Sequence, residues 1–341
     1  MNGNDAVYIV GARQRELRGI LDGDLWSGYD RGLVLEVDLQ SGACETVFDY
    51  DSAGGHDGAV SLQASTLDGD LLYTCSETEV LVCRLPDFEV LTRVSLPLFN
   101  DVHHVRPSVD GNMVVANAGL EMVLEVTQEG EILQLWNVLG EDPWGRFRAD
   151  VDYRTLSTKP HRAHPNFVFY VGDELWATRF HQGDAISLDD PKRRIDVSDE
   201  RIHDGIVVDG HVYFTVVDGR VVVADTDSLK IAEVIDLNAF HAEREAVLGW
   251  CRAIMVDGPR LWVGFSRIRA TKFRDNVAWV ARGLRRSKPT HIACYDLARR
   301  TCITEIGLES FGLSALYSIL PASQRPSANP HRTSSPARAQ T

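Results

Sequence analysis

A turn signal that recurs along this 341-residue chain restricts its fold more than any other feature. It stands at Leu67-Asp68-Gly69, Val109-Asp110-Gly111, Val171-Gly172-Asp173, Val208-Asp209-Gly210 and Val256-Asp257-Gly258. Asp-Gly and Gly-Asp supply the positive φ that short hairpin turns require. Each mark leads into a β-rich run: Leu71 to Thr74, Met113 to Ala116, Leu175 to Thr178, Val212 to Thr215 and Leu261 to Phe265. A third and a fourth run follow, as in Arg220 to Ala224 and Ile231 to Leu237, parted by Asp225 to Ser228. Four antiparallel strands in units of about forty residues describe propeller blades, whose faces are buried only against neighbouring blades.

Five such units begin near Val60, Val102, His164, Ile202 and Cys251. The sixth is divided between the ends of the chain. Leu313 to Leu320 reads as an inner strand, and Ala6 to Gly11, Leu33 to Asp38 and Glu45 to Tyr50 supply the other three. The expectation is an all-β, six-bladed β-propeller over residues 1–321, closed by joining N- and C-terminal strands in one blade. Closure also removes the sheet edges that invite aggregation. A pair of β-sandwiches is the alternative, and it accounts less well for the regular count of four. Residues 322–341, rich in Pro, Ser, Ala and Arg, are expected to be a disordered tail.

Composition narrows the function by exclusion. A net charge of −14 sets the surface against nucleic acid and anionic membranes as general partners. No apolar run is long enough for a membrane span, and Met1 to Asp5 is polar where a secretory signal is basic and then apolar, so a cytoplasmic location is expected. The six cysteines, Cys44, Cys75, Cys83, Cys251, Cys294 and Cys302, have no C-x-x-C spacing and read as reduced residues.

In a propeller, interblade links and the loops between strands two and three share one face. That face receives every long insertion: Ala12 to Arg31, Asn137 to Arg162, Asn238 to Gly249 and Arg267 to Thr290. Long loops on a rigid scaffold mark a working face. Asp275 to Arg286 has helical character, with Val277, Val280 and Leu284 on one stripe. The basic cluster Arg267, Arg269, Lys272, Arg274, Arg282, Arg285, Arg286 and Lys288 reads as a solvated face or as an anion-recognising lid.

Histidines gather where inner strands begin on this face: Asp101-Val102-His103-His104, His161-Arg162-Ala163-His164-Pro165-Asn166 and Ile202-His203-Asp204-Gly205. His104 lies five residues before Val109, His203 five before Val208, Cys251 five before Val256, and His164 seven before Val171. Side chains alternate with period two, so equal parity predicts one direction for all four. Inner strands converge on the axis, and His104, His164 and His203 are therefore expected to ligate a divalent transition metal, iron, zinc or copper. Cys251 is an outside candidate for a fourth ligand. Asp101, Asp204 and His103 are candidate catalytic or orienting residues, and Arg162, Arg179, Arg252, Asn166 and His181 candidate substrate contacts. His56 repeats a His-Asp-Gly motif out of register and is included only weakly. The bland alternative is that these histidines tie blades together without a ligand.

No G-x-S-x-G, Walker, H-E-x-x-H or dinucleotide motif occurs. The segments Asn100-Asp101-Val102-His103-His104-Val105, Ala163-His164-Pro165-Asn166, Leu175-Trp176-Ala177-Thr178-Arg179-Phe180 and Gly249-Trp250-Cys251-Arg252 resemble an uncharacterised family of bacterial propeller proteins. That resemblance spans nearly the whole chain before the tail, and it implies the fold and a shared site but no particular reaction. More remote is the similarity to carotenoid-cleaving oxygenases, which hold iron with four histidines in seven blades. Gluconolactonase-like six-bladed propellers match the size but bind their cation through Glu, Asn and Asp. The expected function is a metal-dependent enzyme, a hydrolase, lyase or oxygenase, acting on a small anionic metabolite at the channel mouth. The alternative is a noncatalytic propeller that binds a glycan or protein partner through Trp144, Trp250 and Trp279.

Overall fold

The computed structural model describes residues 5–15, 28–51, 60–241, 247–268 and 287–322. Six four-stranded antiparallel sheets form the blades of a β-propeller. Blade one joins β24 (Ala315–Pro321) to β1 (Ala6–Gln14), β2 (Tyr29–Asp38) and β3 (Cys44–Tyr50). Blade two holds β4 (Thr66–Asp68), β5 (Leu71–Cys75), β6 (Val80–Arg84) and β7 (Glu89–Val94). Blade three holds β8 (Val102–Pro107), β9 (Met113–Asn117), β10 (Met122–Val126) and β11 (Ile132–Asn137). Blade four holds β12 (Pro165–Val171), β13 (Glu174–Arg179), β14 (Asp184–Ser187) and β15 (Arg194–Asp196). Blade five holds β16 (Ile202–Val208), β17 (His211–Val216), β18 (Arg220–Asp225) and β19 (Ile231–Asp236). Blade six holds β20 (Trp250–Asp257), β21 (Arg260–Ser266), β22 (His291–Asp296) and β23 (Thr301–Gly307).

The predicted closure is present: β24 pairs antiparallel with β1, from Val7 opposite Pro321 to Ala12 opposite Ala315. The turn marks act as read, since Gly69, Gly111, Gly172, Gly210 and Gly258 all have φ between 58° and 84°. Space is not what requires glycine there, because a Cβ at Gly69, Gly111, Gly172 or Gly258 would meet nothing within 4 Å. Backbone conformation alone requires it.

Alternation along the strands places apolar side chains on both faces of each blade, and six buried clusters fill the six seams. Leu72, Leu81 and Cys83 of blade two meet Val10 and Val34 of blade one, for example, while Tyr73, Cys75 and Val82 turn the other way toward Val105 and Met113 of blade three. Cys75 and Cys83 thus lie in different seams and cannot pair. All six cysteines are unbridged.

Buried carboxylates fasten the backbone at the working face, within a blade and between blades. Glu77 of blade two accepts from the Ser61 hydroxyl at 2.5 Å and from the Ser61 amide at 3.3 Å. Asp204 of blade five accepts the Ala253 amide of blade six at 2.9 Å and also the Thr215 hydroxyl. Burial pushes Glu77 up to about 7 and Asp204 up to about 6.

No helix among the described residues is long and apolar enough to cross a membrane. The helical stripe at 275–286, Trp279, His56, most of the basic insertion and the tail from residue 323 lie outside the described residues. Arg267 and Lys288, at the roots of that insertion, are described: Arg267 donates to Gln14 at 2.5 Å, and Lys288 to Glu305 at 2.5 Å.

Candidate metal centre

Four inner strands begin with a kink. Asp101, His164, Asp204 and Ala253 take φ of 51°, 59°, 61° and 65°, a region that non-glycine residues seldom occupy. Bulges accompany them, between Val102 and His104, Pro165 and Phe167, His203 and Ile206, and Arg252 and Ile254. Each bulge inserts one residue and reverses the facing of what precedes it. The hairpin turns also differ in length, with Pro107 opposite Met113 but Val208 opposite His211. Equal spacing from the turn marks therefore does not mean equal direction.

The result corrects the predicted triad, because His104, His164 and His203 do not converge. His104 is fully buried in the seam between blades three and four, stacked on Phe167 with ring centroids 3.7 Å apart. Its Nδ1 accepts the Val168 amide at 3.1 Å and its Nε2 lies 3.0 Å from Thr66 Oγ1, so both nitrogens are committed. Burial holds this imidazole neutral, far below its ordinary value. His203 is engaged as well: the Trp250 indole donates to Nε2 at 3.0 Å, and the Asn166 amide lies 2.8 Å from Nδ1. Cys251 is buried in the apolar seam between blades five and six, where burial raises its thiol well above the ordinary value. It is no ligand.

What does come together is Asp101, His161 and His164, whose ligand atoms all lie within 4.8 Å of one another. His161 Nδ1 is 2.7 Å from His164 Nδ1, and Asp101 Oδ2 is 3.7 and 3.8 Å from the two. Two groups of residues hold this arrangement. The Glu121 carboxylate, 1% exposed, accepts the amides of Ala163 and His164 at 2.9 and 2.8 Å and that of Arg162, and so fixes the loop carrying both histidines. On the other side, Asn100 donates its amide to the Tyr153 and Leu156 carbonyls at 2.6 and 2.8 Å. That leaves its oxygen to accept the Thr158 hydroxyl at 2.9 Å, and Thr158 Oγ1 lies 3.2 Å from His161 Nε2.

This chain of donors assigns a tautomer. Thr158 spends its proton on Asn100, so its oxygen accepts from His161 Nε2, and His161 Nδ1 carries a lone pair. Burial lowers His161 to about 4 and His164 further below its ordinary value, so both rings are neutral at pH 7. At 2.7 Å the facing Nδ1 of His164 then donates to His161 Nδ1, and a divalent metal of the iron or zinc type would take the place of that proton between two imidazoles and a carboxylate, a donor set that fits such an ion.

Around the centre, His103 lies 3.5 Å from Asp101 Oδ1 and packs edge-on against His164 at 4.5 Å between centroids. His181, on the rim, is 6.0 Å from His164. The axis itself is lined by one residue from each blade: Tyr317, Gln63, His103, Asn166, His203 and Arg252, around a cavity of about 20 Å³. Arg252 stacks on Tyr317 at 4.6 Å, and its buried Nε has no hydrogen-bond partner among the described residues. Asn166 serves to orient His203 and accepts from Thr178 at 2.6 Å. Asp204 lines the same cavity, but its carboxylate is spent on the blade clasp described above.

Two predicted anchors stand elsewhere. Arg162 is spread bidentately on Glu141 at 2.7 and 2.8 Å at the surface, and Arg179 on Asp184 at 2.7 and 2.5 Å. Both are satisfied by local partners. Trp144 packs against the core of the seam between blades two and three, and Trp250 is buried, so neither is an exposed stacking platform. His161 falls outside the strand parity that singles out the other histidines; its spacing of three from His164 across a tight loop is the sequence signal for it. Another cluster, His241, Cys302 and Glu305, is neutralised by Lys288 on Glu305, and burial pushes the Cys302 thiol up to about 11.

No protein-family model matches the sequence, and no curated protein matches it. Among solved structures, a protein of unknown function from Bacteroides caccae superposes with a TM-score of 0.58 at 13% identity, covering 92% of this chain and 97% of that one. The nidogen/laminin complex gives a TM-score of 0.56 at 10% identity, covering 94% and 100%. These likenesses are of fold alone, and the six four-stranded blades place the chain in the class of six-bladed β-propellers.

Proposed function

We propose that this propeller is a metal-dependent enzyme acting on a small anionic metabolite at the channel mouth, with a divalent metal held by Asp101, His161 and His164. The observation that carries the reading is the meeting of three ligand atoms within 4.8 Å on a loop held by Glu121 and Asn100. A three-ligand set leaves coordination positions open, and a bound ion there would supply Lewis acidity, an activated water or, for iron, dioxygen chemistry. His103 Nδ1 stands 3.5 Å from Asp101 Oδ1 beside the centre, where it could move a proton, and Arg252 offers a positive charge at the axis. The roles of ligand assigned to His104 and His203 pass to His161 and Asp101. Six unbridged cysteines accord with a reducing compartment, and we place the protein in the cytoplasm.

Metal analysis of the purified protein tests this directly. One equivalent of transition metal is expected, lost in D101N, H161A and H164A and kept in H104A and H203A. Wild-type protein that takes up no metal on titration with zinc or ferrous ion would sink the reading. A noncatalytic propeller holding a partner is the second reading; of its three anchors Trp144 and Trp250 are packed into the fold, and Trp279 lies outside the described residues.

A further inference from the structure

The opposite mouth of the channel holds a much larger space than the histidine face. A cavity of about 650 Å³ opens among the ends of the inner strands, within the range of small-molecule sites. Its wall includes Arg106 and Tyr170 from the ends of β8 and β12, Thr66 from β4, and Asp209 and Asp257 at the rim turns. It is a different place from the metal centre: Arg106 lies three residues beyond His103 on one strand, roughly 10 Å along the chain.

Arg106 is the feature that calls for a ligand. Its guanidinium carbon lies over the Tyr170 ring, 4.7 Å from the centroid, and its buried Nε has no hydrogen-bond partner among the described residues. Burial lowers it to about 10, and Asp68 and Tyr170 oppose that only through their fields. Elsewhere on the described surface, Arg84, Arg148, Arg154, Arg162, Arg179 and Arg220 are each engaged by a carboxylate. Only Nε is sealed from water; Arg106 is itself half-buried in the funnel wall, with no carboxylate among the described residues at ion-pair distance, and an oxyanion in the funnel would supply that missing partner. Stacking on tyrosine fixes the plane of the fork, which favours bidentate binding of a carboxylate or phosphate.

We propose that this funnel is a second binding site, for a small organic oxyanion seated on Arg106 whose far end carries hydroxyl or ammonium donors toward Asp209 and Asp257. Carboxylate and phosphate share the required chemistry, so the test separates them. Thermal unfolding and calorimetric titration at constant ionic strength use inorganic phosphate, glucose 6-phosphate and gluconate. Saturable binding of at least one is expected, stronger for the hydroxylated probes than for inorganic phosphate. R106M is expected to weaken it by more than tenfold, and R106K to weaken it less, because charge is kept and the fork is lost. D101N, which removes the proposed metal ligand on the other face, is expected to bind these probes as the wild type does, so the two sites fail separately. Absence of saturable binding by all three probes, or equal binding by R106K and wild type, would overturn the proposal.

Discussion

At His161 a single proton decides whether Nδ1 can hold a cation, and Thr158 places that proton on Nε2. T158V keeps the volume and removes the acceptor, so metal affinity is expected to fall about 10- to 100-fold with all three ligands intact. Competition against a chromophoric chelator measures it, and unchanged affinity would show that the relay through Asn100 is idle. His104 carries the opposite expectation. H104A removes the stack on Phe167 and leaves the buried Val168 amide without its acceptor, at a cost of about 2–3 kcal/mol in denaturant unfolding, with metal content unaltered. The residue types of the centre were legible in the chain, since Asp101 and His164 were both singled out. Their partnership was not. Parity counting assumes an uninterrupted strand, and nothing at His164 or Ala253 advertises the positive φ that interrupts it.

Five of the six blades were readable because each repeats a turn whose backbone demands glycine, and the remaining one followed from joining the two chain ends. At Gly210, with φ of 73° and no backbone atom near a would-be Cβ, alanine is expected to cost about 1 kcal/mol, measured by thermal denaturation. The carboxylate clasps were hidden, since a carboxylate buried against backbone amides looks in sequence like any surface acid. They have a pH signature. Glu77 titrates near 4.5 when exposed and near 7 in the fold, so the folded state keeps a proton that the unfolded state releases. Stability contributed by that proton is whole below pH 4.5 and declines as pH rises to about 7, where the loss is complete. E77Q, which keeps an acceptor and cannot ionise, is expected to flatten that part of the stability curve. An identical pH dependence in the two proteins would show that Glu77 titrates normally. Asp204 acts in the same sense over a lower window, from 3.8 to about 6.

Over the whole molecule, ring closure depends on seven residues from the far end of the described chain. Removing everything after Ser314 takes away β24 and with it Leu316 and Ile319 from the seam between blades six and one, and bares the edge of β1. Such a truncation is expected to aggregate and to lose cooperative unfolding, as read by size-exclusion chromatography and calorimetry. A soluble monomer with a sharp transition would mean that the ring closes with blade one reduced to three strands. The architecture was visible from composition and punctuation because it is set by many weak, repeated signals. Phe167 has a further consequence: it belongs to the walls of both the small axial cavity and the large funnel, braced from behind by the His104 ring. It is a partition that the two spaces share. A change of its ring would reshape both rooms at once, whereas a change at Tyr317 or at Tyr170 would remodel only the side on which that residue stands.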